Sequence, residues 1–241
     1  MKSEKEILYL NQQDYIGSMK SYEAHANKHQ EDYIKATRSF LERHDNGNYH
    51  IYQITITPKD PSQKQNPKYL LEDISDFFRD IQNKIFPQRR KSSIPEHLRP
   101  ILFFFLDIPG SQGEGTKAYK TMVAAENGSI ENLHAHGYLL LNANTWQQFE
   151  PTGEKENEKE IRFGKYNVLF QKFDKVEFEN GPGYASKMIA VSKLHNEYFM
   201  DGYLYYSKNR KRTTPDELES FTVTPSAANT GTIDSIQLGV Q

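Results

Sequence analysis

The chain has 241 residues, with 30 Lys and Arg against 32 Asp and Glu, a formal net charge of -2 and no cysteine. That balance excludes a histone-like polycation, so any nucleic-acid contact must come from a local patch. The missing thiols exclude a disulfide scaffold, a cysteine-ligated zinc ribbon and a thiolate nucleophile.

Hydrophobic residues make up 36%, below the roughly 45–50% of an average globular chain, so the core is modest or some segments lie outside it. Residues 1–48 read as a polar helical extension, with Met19, Tyr22, Ala26, Tyr33, Ala36, Phe40 and Leu41 at loosely helical spacing. Asn46-Gly47-Asn48 is a turn signal. His50 to Thr57 is β-branched and aromatic, a strand closed by Pro58. Lys59 to Asn66 is a polar loop, and from Pro67 the positions Tyr69, Leu70, Ile74, Phe77, Phe78, Ile81 and Ile85 predict a helix. Pro87 to Arg99 is a basic connection. Ile101 to Asp107 is a buried strand, and its apolar run stops at Asp107, far short of the ~20 residues that span a bilayer.

Beyond a Gly-rich loop, Ala118–Glu126 and Leu133–Asn142 read as two strands, with Asn127-Gly128 as the turn signal of a hairpin. Phe149 to Lys165 is a solvated insertion, and Val168 to Phe178 holds a short strand. Gly181-Pro182-Gly183 introduces a helix over Tyr184–Leu194, and Glu197 to Ser207 reads as a further strand. A basic run follows, and from Ser220 the small polar composition predicts a disordered or loosely docked tail. The expected organisation is an extension over 1–48, a domain over 49–207 and a basic segment with a tail over 208–241. The expected fold is α+β, an antiparallel sheet with flanking helices in a two-layer sandwich. No export signal stands at the start, and a cytosolic protein is expected.

The chemistry centres on Leu133-His134-Ala135-His136-Gly137. Residues two apart in a strand point the same way, so His134 and His136 face together, as two imidazole ligands of one ion would. If the hairpin pivots on Ile130, Glu126 lies opposite His134 and Ala124 opposite His136, which places a carboxylate root about 5 Å from an imidazole root. Glu131 competes as the third ligand but falls in the turn. A set of imidazoles and a carboxylate suits Mg²⁺, Mn²⁺, Fe²⁺ or Zn²⁺, and also describes non-haem iron oxygenases. Downstream, Tyr184 and Lys187 stand one turn apart on one helical face. A phenol is a weak nucleophile at neutral pH, and a nearby ammonium and a divalent cation both favour its phenolate.

Together, His134-Ala135-His136 and Tyr184-Ala185-Ser186-Lys187 resemble the HUH endonuclease superfamily, and more narrowly its rolling-circle replication initiators (Rep proteins). The threonine-containing strand Gln53-Ile54-Thr55-Ile56-Thr57-Pro58 is similar to their first motif. The resemblance spans about 50–206. It implies a single-tyrosine enzyme that nicks and rejoins single-stranded or hairpin origin DNA. Glu126, His134 and His136 would hold Mg²⁺ or Mn²⁺, Tyr184 would be the nucleophile, and Lys187 would steady charge. Arg89, Arg90, Lys91, Lys208, Arg210, Lys211 and Arg212 are candidate phosphate contacts. No Gly-x-x-x-x-Gly-Lys-Ser/Thr occurs, since Gly113-Glu114-Gly115-Thr116-Lys117 has the wrong spacing, so a host helicase and polymerase are the expected partners. The resemblance also implies a prokaryotic cytoplasm and no membrane. A transposase or relaxase of the same chemistry, or a non-catalytic DNA-binding protein on the same fold, are the rival readings.

Overall fold

The computed structural model describes residues 27–60, 62, 64–87, 94–108, 130–145, 158–173, 181–183, 185–186, 202–206 and 209–223. In chain order the elements are helix α1 (27–44), strands β1 (Tyr49–Pro58) and β2 (Lys64–Gln65), helix α2 (Pro67–Ile85), a 3₁₀ turn (Glu96–Leu98), and strands β3 (Ile101–Asp107), β4 (Ile130–Glu131), β5 (His134–Asn142), β6 (Glu158–Phe163) and β7 (Tyr166–Lys172). Strands β8 (Tyr203–Tyr206) and β9 (Asn209–Arg212) and helix α3 (Pro215–Ser220) follow. Seven strands form one antiparallel sheet in the order β6-β7-β1-β5-β3-β8-β9. β2 and β4 pair separately. The α+β class with flanking helices therefore holds.

The strands that read as continuous apolar runs sit in the middle. Every residue of β3 is buried, and a strand with no polar face needs cover on both sides. α2 supplies one cover. Pro67 opens it, the Asn66 side chain accepts from the Lys68 N–H, and Leu70, Leu71, Ile74, Phe77, Phe78, Ile81 and Ile85 form its buried stripe. That stripe packs on Ile54, Ile56, Leu102, Phe104, Leu139 and Phe170. The opposite face is covered by α1, whose Tyr33, Ala36, Phe40 and Leu41 pack with Phe103, Phe105, Tyr138 and Leu140. Helices thus flank both faces. Each fully buried Leu, Ile or Phe contributes about 1.5–3 kcal/mol relative to exposure.

The flanking segments share these cores where they are described. Tyr33 of α1 donates its hydroxyl hydrogen bond to the Thr213 carbonyl. The sheet continues past residue 207 into β9, and Leu218 of α3 is buried. Part of the expected insertion is not solvated loop, because β6 pairs with β7 along Glu158–Phe163. Residues 224–241, and the expected strand Ala118–Glu126, lie outside the described residues. Among the described residues no helix is long and apolar enough to cross a membrane.

Candidate metal centre

β5 is the central strand of the sheet, with β1 on one edge and β3 on the other. Its register pairs His134 with Asp107 and His136 with Phe105 on β3, and His136 with Thr55 on β1. With a side-chain period of two, Asp107, His134, His136 and Thr55 share one face, the face that α1 covers.

Asp107 is the carboxylate that this register brings to the histidines. Its Oδ1 accepts the Ile108 N–H at 2.8 Å. Its Oδ2 lies 3.2 Å from the Nε2 of both His134 and His136. The side chain of Asp107 is 0% exposed, His136 4% and His134 12%, so the cluster opens to solvent only at His134. The two imidazoles stand nearly perpendicular at 87°, with centroids 4.9 Å apart. One ligand atom from each residue lies within 4.8 Å of the others.

Local chain geometry orients the His134 ring. Asn132 holds a left-handed φ of 49°, which Asn tolerates better than most residues. Its carbonyl lies 2.9 Å from His134 Nδ1. A carbonyl only accepts, so Nδ1 carries a proton, and in the neutral ring Nε2 is then the lone-pair nitrogen on the Asp107 side. His136 Nδ1 lies 3.0 Å from Thr55 Oγ1, which can donate or accept. The donor set fits a divalent ion: a buried carboxylate oxygen and two imidazole Nε2 atoms converge, and Asp107 Oδ2 and His136 Nε2 make no hydrogen bond there. A ligating histidine tied at its other nitrogen is the usual arrangement of such centres.

The structure corrects the expected register. The expected hairpin sets Glu126 opposite His134, whereas the neighbours of β5 in the sheet are β1 and β3. β3 pairs with it as far as Asp107↔His134 and β1 as far as Ile56↔Ala135, so the carboxylate opposite His134 is that of Asp107. Phe105 and Thr55, not Ala124, stand opposite His136. Glu126 itself lies outside the described residues. Glu131 is exposed on β4, paired with Lys64, and outside the cluster. Asp107 did leave a signal, as the single charge ending an otherwise apolar run.

Tyr184 and Lys187 lie outside the described residues, but the chain beside them is placed. The backbone is helical at 181–183 and 185, and the Ser186 N–H donates to the Pro182 carbonyl at 3.1 Å. Ala185 is buried in the core on the α1 face. A Cβ on Gly181 would stand 2.9 Å from the hydroxyl of Tyr138, the next residue after His136 on the same face of β5. Among the candidate phosphate contacts, Arg89, Arg90, Lys91 and Lys208 lie outside the described residues. Arg210 and Lys211 occupy β9 opposite Tyr205 and Leu204, and Arg212 is exposed.

Comparison of the chain with protein-family models, with curated proteins and with solved structures finds no match.

Proposed function

We propose that this chain is a single-tyrosine HUH endonuclease of the rolling-circle initiator type, which nicks and rejoins single-stranded DNA at an origin. The observation that carries the reading is the convergence of Asp107, His134 and His136 on the face where Gly181 and Ala185 pack. A paired-histidine centre facing a tyrosine-bearing helix is the arrangement the sequence resemblance implies. An oxygenase has no use for that tyrosine and lysine.

Asp107, His134 and His136 would hold Mg²⁺ or Mn²⁺, with Asp107 in the role first given to Glu126. A divalent ion supplies Lewis acidity toward a phosphate oxygen when bound there. The Tyr184 hydroxyl oxygen attacks phosphorus, its proton passing through water to the departing 3′-oxygen. The bond to the 3′-oxygen breaks, leaving a 3′-OH and a 5′-phosphotyrosyl link. The Lys187 ammonium favours the phenolate and offsets charge on the phosphate. The link conserves the phosphodiester, so attack by a 3′-OH reverses the step and rejoins strands. Host polymerase would extend the free 3′-OH.

The test is a covalent-adduct assay with labelled single-stranded and hairpin DNA pools and Mn²⁺ or Mg²⁺. The expected result is an SDS-resistant band that needs metal and is lost in Tyr184→Phe. Sequencing the trapped DNA separates an origin nick from transposon or transfer-origin ends. DNA binding with no adduct from any pool would overturn the reading in favour of a non-catalytic DNA-binding protein.

A further inference from the structure

The backbone holds the two histidines of the cluster unequally. His136 lies inside the sheet, paired with Thr55 on one side and Phe105 on the other. His134 opens β5, beyond the last pair with β1, Ile56↔Ala135, and it is the more exposed of the two. Its ring is held instead by the Asn132 carbonyl, 2.9 Å from Nδ1. Among the described residues Asn132 is the one non-glycine with a left-handed φ, at 49°. An L-residue adopts that conformation at a cost, and it persists only where the surroundings enforce it.

Those surroundings are a short ribbon and its footing. Ile130 and Leu133, on either side of the turn, are buried in the core under α2. β4 pairs with β2 through Lys64↔Glu131 and Gln65↔Ile130. Gln65 is buried, and its side-chain oxygen meets the hydroxyl of Tyr166 at the start of β7. That hydroxyl also lies 2.8 Å from Asp73 Oδ2 on α2. We infer that Asn132 is a positioning residue of the centre: the β2–β4 ribbon, footed on Tyr166 through Gln65, fixes its left-handed turn, and the turn aims its carbonyl at the His134 ring. The inference rests on reading Asp107, His134 and His136 as a metal centre. With the carbonyl turned away, the His134 ring is free to rotate, and its Nε2 leaves the point where the three ligand atoms converge. Gly adopts the left-handed conformation freely, whereas a β-branched Val strongly resists it. Leu at position 65 removes the footing and leaves Tyr166 its bond to Asp73.

The experiment uses the full chain and Mn²⁺. Titration calorimetry gives the affinity of wild type, Asn132→Gly, Asn132→Ala, Asn132→Val and Gln65→Leu. ¹³C relaxation of the histidine rings gives the order of His134 and His136 in the metal-free chain. The expected result is near-wild-type affinity in Asn132→Gly and a roughly 10–100-fold loss in Asn132→Val, the range typical of a lost partner behind a ligating histidine. Asn132→Ala and Gln65→Leu should lose less. In metal-free Asn132→Val the His134 ring should loosen while the His136 ring keeps its order, a split that a general loss of stability does not produce. Asn132→Ala carries the test where Asn132→Val does not fold. Unchanged affinity in the folded variant, or equal loosening of both rings, would overturn the positioning role alone. A wild-type chain that binds no divalent metal would overturn the centre and the positioning role together.

Discussion

Replacing Asp107 by Asn separates a metal centre from a structural ion-pair cluster by the sign of one stability change. In the metal-free chain the carboxylate is fully buried, with Oδ2 at 3.2 Å from two imidazole nitrogens. Its other oxygen accepts from Ile108 N–H. An Asn in the same rotamer keeps the Ile108 bond and turns an NH₂ group toward both Nε2 atoms, with the Thr55 hydroxyl accepting from His136 Nδ1. Oδ2 makes no hydrogen bond to either imidazole, so the substitution forfeits none there and offers at most two neutral ones of about 1 kcal/mol each. It also removes the several-kcal/mol penalty of holding a charge out of water. The balance favours Asn by about 1–3 kcal/mol, and at ~2–4 °C per kcal/mol for a chain of this size, Tm rises. Added Mn²⁺ should act oppositely. At about 100 times Kd it stabilises the wild type by ~2.7 kcal/mol, and this rise should vanish in the variant. Thermal or urea unfolding at pH 7.5, with and without Mn²⁺, reads both effects. If both histidines were protonated and ion-paired to Asp107, removing the charge would break a buried pair and destabilise by about 3–5 kcal/mol. A variant that falls by that amount, beside a wild type indifferent to Mn²⁺, would refute the metal centre.

Two further outcomes test the scaffold. A Cβ on Gly137 would stand 2.2 Å from the Phe103 carbonyl oxygen and 2.4 Å from Phe104 Cβ, inside the β3–β5 ladder. Gly137→Ala should therefore destabilise by more than the ~1–3 kcal/mol of ordinary overpacking. Gly183→Ala, whose nearest contact is Ile34 Cδ1 at 3.9 Å, should be close to neutral; equal urea midpoints for the two variants would refute the packing argument. Burial holds His44 below its ordinary value of 6.5, against the opposing bond to the Phe40 carbonyl and assisted by the Arg43 charge. The unfolded chain then binds a proton that the folded chain resists, so this contribution is complete above the unfolded value and is lost as pH falls below it. Wild type should lose more stability than His44→Gln between pH 7.5 and 5.5, and equal losses would contradict the assignment.

Much of the fold was legible because it rests on local pattern. The stripe from Leu70 to Ile85 and the apolar run from Ile101 each specify an element and its buried faces without knowledge of the rest. The strand Glu158–Phe163 was not legible. Its Glu- and Lys-rich sequence resembles solvated loop, and pairing with β7 at the sheet edge overrides that composition. For the same reason β9 could be read only as a basic run, although the backbone of Arg210 and Lys211 pairs with β8.

The centre shows where local reasoning stops. His134 and His136 were identifiable because both belong to one strand, and a period of two is a property of the strand alone. The carboxylate beside them belongs to a different strand, and which strand lies alongside is a long-range property. Asn127-Gly128 argued for the nearest neighbour in sequence, which gave Glu126. In the sheet both neighbours of β5 come from earlier in the chain, and β3 delivers Asp107 across 27 residues of sequence, from 107 to 134. A physical constraint nonetheless singled out this residue. Along Ile101–Asp107 every position is buried, and in such a strand a carboxylate is costly unless a cation, a proton or hydrogen bonds meet it. Asp107 shares the parity of Phe103 and Phe105, so it faces the same side as whatever covers those rings. A buried acid at the end of an apolar strand, in a chain that also carries His-x-His, therefore asks for a partner, and one ion held between it and the histidines would satisfy all three groups.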